Sequence, residues 1–135
     1  MKNFVFTELQ ITLNIGREFH RCEFIPSTKK IIITGGYNRN SKLFPEFLCS
    51  TEIIDVENKS ICMGSTMNYR RSQHGIGILT IKGENKLAVF GGEIEKSNLE
   101  PSIVEIHNSE AQKWEITTIK LKEHYSRFGF LSVNS

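Results

Sequence analysis

The chain has 135 residues, 39% of them aliphatic or aromatic and 24% charged, with a formal net charge of +2. These are ordinary values for one soluble, domain-sized globular chain able to bury a core. So small a charge, spread as short pairs such as Lys29-Lys30 and Arg70-Arg71, argues against nucleic acid or an anionic membrane as a partner.

At the start of the chain, Met1 to Glu8 carries three apolar residues before polar ones intervene. A secretory signal needs an apolar stretch of about seven or more, and a membrane span needs ~20. An intracellular, cytoplasmic protein is therefore expected. The three cysteines, Cys22, Cys49 and Cys62, include no CxxC pair and are expected as reduced thiols packed like small hydrophobes, with no metal.

From Arg17 onward the chain repeats itself. Arg17-Glu18-Phe19-His20 leads to Phe24-Ile25, the turn Pro26-Ser27-Thr28-Lys29, and the apolar run Ile31-Ile32-Ile33 ending at Gly35-Gly36. Arg71-Ser72-Gln73-His74 leads to Ile76–Ile81, the turn Lys82-Gly83-Glu84-Asn85, and Leu87-Ala88-Val89-Phe90 ending at Gly91-Gly92. The RxxH elements lie 54 residues apart and the double glycines 56 apart. Later apolar segments, Ile53 to Asn58 and Ile103 to Asn108, align at a spacing of 50. Loops absorb such small differences more easily than strands do.

Short β-branched runs bounded by turn residues predict buried strands, joined as hairpins. No segment carries a convincing helical stripe. Glycine pairs at strand ends predict close backbone approach and unusual dihedrals. Trp114 is expected at the start of an outer strand, as core, with Ile61 as its counterpart in the first repeat. His20 and His74 are expected to make structural hydrogen bonds rather than to converge on one proton.

This order of RxxH, an apolar strand ending in Gly-Gly, a polar loop, the "TEIIDVEN" or "SIVEIHN" strand and then Trp114 resembles the kelch repeat, with the propeller of kelch-like (BTB-kelch) adaptor proteins the nearest likeness. The resemblance implies an all-β fold, a partial kelch-type β-propeller of about two four-stranded antiparallel blades plus flanking strands. Residues 1–16 would hold the last strand of a preceding blade. Residues 17–69 and 70–123 would be the two repeats, and 124–135 the first strand of a further blade, with Tyr125–Val133 aligned on Arg71–Leu79. Departures from the family pattern are the small number of blades and the missing tryptophan in the first repeat. No segment resembles a BTB or BACK domain.

The resemblance further implies a non-catalytic protein-binding module, adaptor-like or scaffold-like, with no cofactor. Partner-binding candidates are Tyr37, Asn38 and Arg39 in the long first-repeat loop, which mixes aromatic rings, amides and cations as interfaces do. Phe19, Gln73 and Arg127 stand at the matched positions entering the first strand of each repeat. An alternative is a fragment of a propeller-type enzyme, a copper oxidase or a sugar isomerase. The three tyrosines and four histidines show no defensible ligand spacing for it, and no nucleophile elbow or phosphate loop is present. A further alternative is a two-blade unit that self-associates through exposed strand edges into a closed ring.

Overall fold

The computed structural model describes residues 5–42, 45–94 and 103–121, which form strands and turns with no helix among them. In chain order the strands are β1 (Arg21–Ile25), β2 (Lys30–Thr34), β3 (Tyr37–Asn38), β4 (Glu46–Phe47), β5 (Thr51–Asp55), β6 (Ser60–Met63), β7 (Arg71–Ser72), β8 (Gly75–Ile81), β9 (Glu84–Phe90), β10 (Glu93–Ile94), β11 (Ile103–Asn108) and β12 (Lys113–Lys120). They assemble as two four-stranded antiparallel sheets with one topology. Sheet 1 has the order β1-β2-β5-β6 and sheet 2 the order β8-β9-β11-β12. Two short ladders, β3-β4 and β7-β10, lie at the strand ends. Among the described residues no helix is long and apolar enough to cross a membrane.

Both expected hairpins are present, with Phe24 opposite Ile31 and Ile78 opposite Leu87. Two details differ from the sequence expectation. The second hairpin turns on Lys82-Gly83 alone, with φ of 51° and 82°, so Glu84 and Asn85 belong to β9. Two consecutive residues with positive φ make the tight turn whose twist matches the strands, and a four-residue loop is not needed. The third strands also align at a spacing of 53 rather than 50. Glu52 pairs with Ile33 and Glu105 with Val89, and Ile33 and Val89 stand two residues before their double glycines. The apolar residues alone allow several alignments, whereas the ladder hydrogen bonds allow one. Ile61 is the structural counterpart of Trp114, opposite Ile54 as Trp114 is opposite His107.

Residues 5–16 pair with no strand. The expected last strand of a preceding blade is thus not formed among the described residues, and a lone extended segment has no ladder to join. Residues 124–135, expected to begin a further blade, lie outside the described residues.

The sheets stack face to face. Ile32 of β2 and Met67 of the connection pack with Ile76, Leu87, Val89 and Trp114 of sheet 2 into one core cluster. Trp114 is buried as expected, and its indole Nε1 donates to the Ser65 carbonyl at 3.1 Å. Burying side chains of this size is worth about 1.5–3 kcal/mol each, so this seam is a main source of stability. His74 adds a polar pin: its Nε2 lies 2.8 Å from the Thr34 hydroxyl across the seam, with neither side chain accessible. Ala88, Phe90 and Val104 form a second cluster on the other face of sheet 2, with Leu79, Ile106 and Leu121 against it.

The connection between the sheets is held by a buried ion pair that each repeat reproduces. Arg71 Nη2 donates to Glu105 Oε1 at 2.9 Å, and Arg17 Nη2 to Glu52 Oε1 at 2.8 Å. Each arginine also donates Nη1 to the carbonyl of the first glycine of its pair, Gly91 or Gly35. Each glutamate in turn accepts from an asparagine backbone N–H and side-chain amide, those of Asn68 on Glu105 and of Asn14 on Glu52. Every charge is thereby paired and hydrogen-bonded, which such burial requires. Burial alone would raise the Glu52 carboxyl, but donation from Asn14, Arg17 and Ile15 holds it below its ordinary range.

The first glycine of each pair serves contact between sheets. Gly35 has φ of +56°, and a Cβ there would meet the Arg71 carbonyl and, at 2.9 Å, the His74 ring. Gly35→Ala is therefore expected to destabilise by roughly 3 kcal/mol, a left-handed penalty plus overpacking. Gly83 shares a positive φ but faces open space, so Gly83→Ala should cost only about 1 kcal/mol. Urea denaturation of both variants checks the contrast.

The fold also implies acid sensitivity above the carboxylate range. Burial, with the neighbouring Arg71, Arg21 and His20 charges, holds His74 well below the ordinary histidine value. The unfolded chain then binds a proton that the folded chain refuses as pH falls below ~6.5. Stability should fall by up to about 1.4 kcal/mol per pH unit for this group between pH ~6.5 and 5. His74→Gln, which keeps a hydrogen-bonding side chain without titrating, should flatten the slope of unfolding free energy against pH. A slope equal to wild type would assign the effect to His20 or His107, both also lowered by burial.

Candidate interaction surface

The double glycines redirect the chain at the ends of β2 and β9 and thereby build one rim of the molecule. Gly36, with φ of +104°, lets the backbone pass against the Glu18 carbonyl, 2.7 Å from where a Cβ would stand. Glu18 and Tyr37 then exchange backbone hydrogen bonds at 2.8 Å in each direction. The second repeat does the same through β7 and β10, with Ser72 opposite Glu93. Phe19 and Gln73 follow, both at φ of 53°, and the Gln73 N–H donates to the Phe19 carbonyl at 2.9 Å. The two positions singled out from the repeat are thus joined across the seam by one backbone hydrogen bond. Arg127, the third, lies outside the described residues.

At Phe19 the backbone conformation is unusual for a bulky side chain. Because Gln73 shares it, the dihedral belongs to the architecture, which needs a left-handed residue before β1 and β8. The side chain at that point is free to vary. Phe19 is 53% exposed, while Gln73 is half-buried.

Tyr37 and Asn38 are not in a loose loop. Tyr37 pairs with Phe47 and Asn38 with Glu46 in the β3-β4 ladder. The Tyr37 and Phe47 rings meet edge to face, with centroids 5.3 Å apart. Arg39 is exposed but engaged: its Nη2 donates to Glu18 Oε2 at 2.9 Å. On the other flank Arg70 Nη1 donates to Glu46 Oε2 at 2.7 Å and to the Phe47 carbonyl at 3.0 Å. Exposed pairs of this kind are worth about 0–1 kcal/mol, so both arginines can change partners at little cost.

The rim is therefore a strip in which Phe19, Tyr37 and Phe47 lie between two arginine–glutamate pairs of balanced charge. Tyr37, Asn38, Arg39, Phe19 and Gln73 come together as one surface. Sequence reasoning missed Glu18, Glu46, Phe47 and Arg70. Glu18 sits inside the RxxH element and carried a signal, whereas Glu46 and Arg70 become neighbours only through the β3-β4 ladder.

His20 immediately precedes β1 and His74 immediately precedes β8, and His74 faces Thr34 in the interior. Among the described residues no three His, Cys, Asp or Glu side chains converge as a metal site requires.

No family model matches the chain, and no curated protein matches it. Among solved structures it is similar to one titled "Structure of YjhT", at 12% sequence identity and a TM-score of 0.61, over 82% of this chain and 39% of that one. The chain thus spans well under half the length of that protein, and at this identity the likeness bears on the fold alone.

Proposed function

We propose that the two sheets are blades of a kelch-type propeller and that their shared rim is a protein-binding surface with no chemistry of its own, in a cytoplasmic protein. The observation carrying this reading is Phe19, an exposed aromatic ring on backbone that the repeat architecture holds still. Around it stand aromatic groups and exchangeable arginines. Aromatic and arginine side chains dominate binding energy at protein interfaces, and rigid presentation lowers the entropy cost of contact. Two repeats with one topology and one seam support the blade reading, because sheets of this kind bury both faces by stacking on neighbours.

Two measurements test the rim. Phe19→Ala combined with Arg39→Ala should change the unfolding free energy by less than about 1 kcal/mol, since both side chains are exposed. Affinity capture from a source lysate should then retain with wild type a defined set of proteins that the double variant loses. Retention of that whole set by the variant would remove the rim as the binding surface. Mass spectrometry of the two eluates, with Ser60→Ala at the opposite strand ends of sheet 1 as a control, gives the comparison.

A further inference from the structure

A serine and a histidine meet outside the rim, where the connection leaves β6. The Ser65 hydroxyl lies 3.1 Å from His107 Nε2 on β11. Backbone on both sides of the serine is clamped. The Ser65 carbonyl accepts from the Thr51 hydroxyl at 2.8 Å and from the Trp114 indole at 3.1 Å. The N–H groups of Gly64 and Met67 donate to the Thr51 and Cys49 carbonyls, each at 2.9 Å. Between them, the N–H groups of Ser65 and Thr66 bond to no protein group. His107 is held as well: it stands opposite Trp114 in the β11-β12 ladder, with ring centroids 5.1 Å apart and planes at 61°. Both residues are half-buried, and the ring Nδ1, which has no protein partner, is reached by solvent.

The repeat architecture does not demand this pair. Asn14 caps Glu52 as Asn68 caps Glu105, so Ile11 stands three residues before Asn14 where Ser65 stands three before Asn68. Ile54 takes the place of His107, on a face of sheet 1 open enough to leave Phe24 and Met63 exposed. A sheet of this topology therefore forms with apolar residues at both positions.

We propose that Ser65 is an acyl-acceptor site, its hydroxyl activated by His107 to take an acyl group from an activated ester. Ser65 Oγ attacks the ester carbonyl carbon while His107 Nε2 takes the hydroxyl proton, the division of labour of a nucleophile and its adjacent base. The developing oxyanion draws on the free N–H groups of Ser65 and Thr66, and the residue after a nucleophilic serine is a common source of such a donor. Collapse of the adduct breaks the carbonyl–oxygen bond to the leaving group. An aryloxide then departs with the proton from His107, which leaves acyl-Ser65 and the free phenol. Burial alone holds His107 below the ordinary histidine value, so the ring is a neutral base at pH 7. Its charged neighbours are otherwise engaged: Glu105, on the same face of β11, is bonded to Arg71 and Asn68, while Lys113 and Glu115 pair with each other. The Cys62 thiol, three residues before Ser65, is exposed and is the competing nucleophile to be resolved.

This site is independent of the rim and of any partner bound there. The probe is p-nitrophenyl acetate, with nitrophenolate followed by absorbance and acetyl groups located by peptide mass spectrometry. At pH 7 Ser65 should be acetylated roughly a hundredfold faster than the exposed Ser60, the gain that a positioned base supplies. Where acetyl-Ser65 hydrolyses as fast as it forms, steady nitrophenolate release that Ser65→Ala abolishes counts as the same result. His107→Gln, which can keep the hydrogen bond without acting as a base, should reduce Ser65 to the rate of Ser60. Its urea midpoint shows that the variant folds. The wild-type rate should level off with rising pH about a midpoint below ~6.5, the ordinary histidine value, a profile that a merely structural His107 would not impose. Equal acetylation of Ser65 and Ser60 with no excess release would overturn the proposal, as would a wild-type rate at Ser65 in His107→Gln.

Discussion

Two buried arginine–glutamate pairs organise this molecule. Arg17 and Glu52 in one repeat, Arg71 and Glu105 in the other, are withdrawn from water and bonded to each other, to asparagine amides and to glycine carbonyls, with the Nε of Arg71 alone left without a partner among these guanidinium and carboxylate atoms. A buried ion pair repays its desolvation poorly compared with an apolar pair, yet removing one partner costs about 3–5 kcal/mol. Its value here is positional. The glutamate sits on the third strand, the arginine on the segment entering the first, and the asparagine on the connection arriving from outside the sheet. One carboxylate therefore ties three separate parts of the chain, and the connection can take one path.

From that tie the rest follows in order. With the connection anchored on Glu105, Met67 is set in the seam beside Ile32, and the Arg71 carbonyl is brought to Gly36, whose N–H donates to it at 2.9 Å. Only a residue without a side chain fits at Gly35, beneath the same carbonyl. The double glycine in turn lets the chain climb past Glu18 and form the rim. The rim is thus a downstream product of the buried charges.

The repeats have diverged in a manner consistent with their neighbours. Where a sheet is covered, its face carries Trp114 and His107, with polar atoms satisfied by Ser65 across the seam. Where the equivalent face is open, the same places hold Ile61 and Ile54, which need no acceptor. Aromatic N–H groups are buried only where a partner can be reached.

Much of this was legible in the residues. Alternation, β-branched runs and turn composition act over a few residues, so the hairpins, the absence of helix among the described residues, the glycine-terminated strands and the burial of Trp114 could be read directly. So could the position of Phe19 and Gln73, because the RxxH spacing repeats closely. Tertiary structure alone decided which glutamate each arginine meets, 35 and 34 residues away, because a charge in the linear chain does not reveal whether it will be buried. It also decided the third-strand register, where apolar residues slide past one another at little cost until ladder hydrogen bonds select one alignment. The rim was half legible for the same reason: Tyr37, Asn38 and Arg39 were marked by composition, while Glu46 and Arg70 are brought beside them by a two-residue ladder and an ion pair that form only when both sheets are in place.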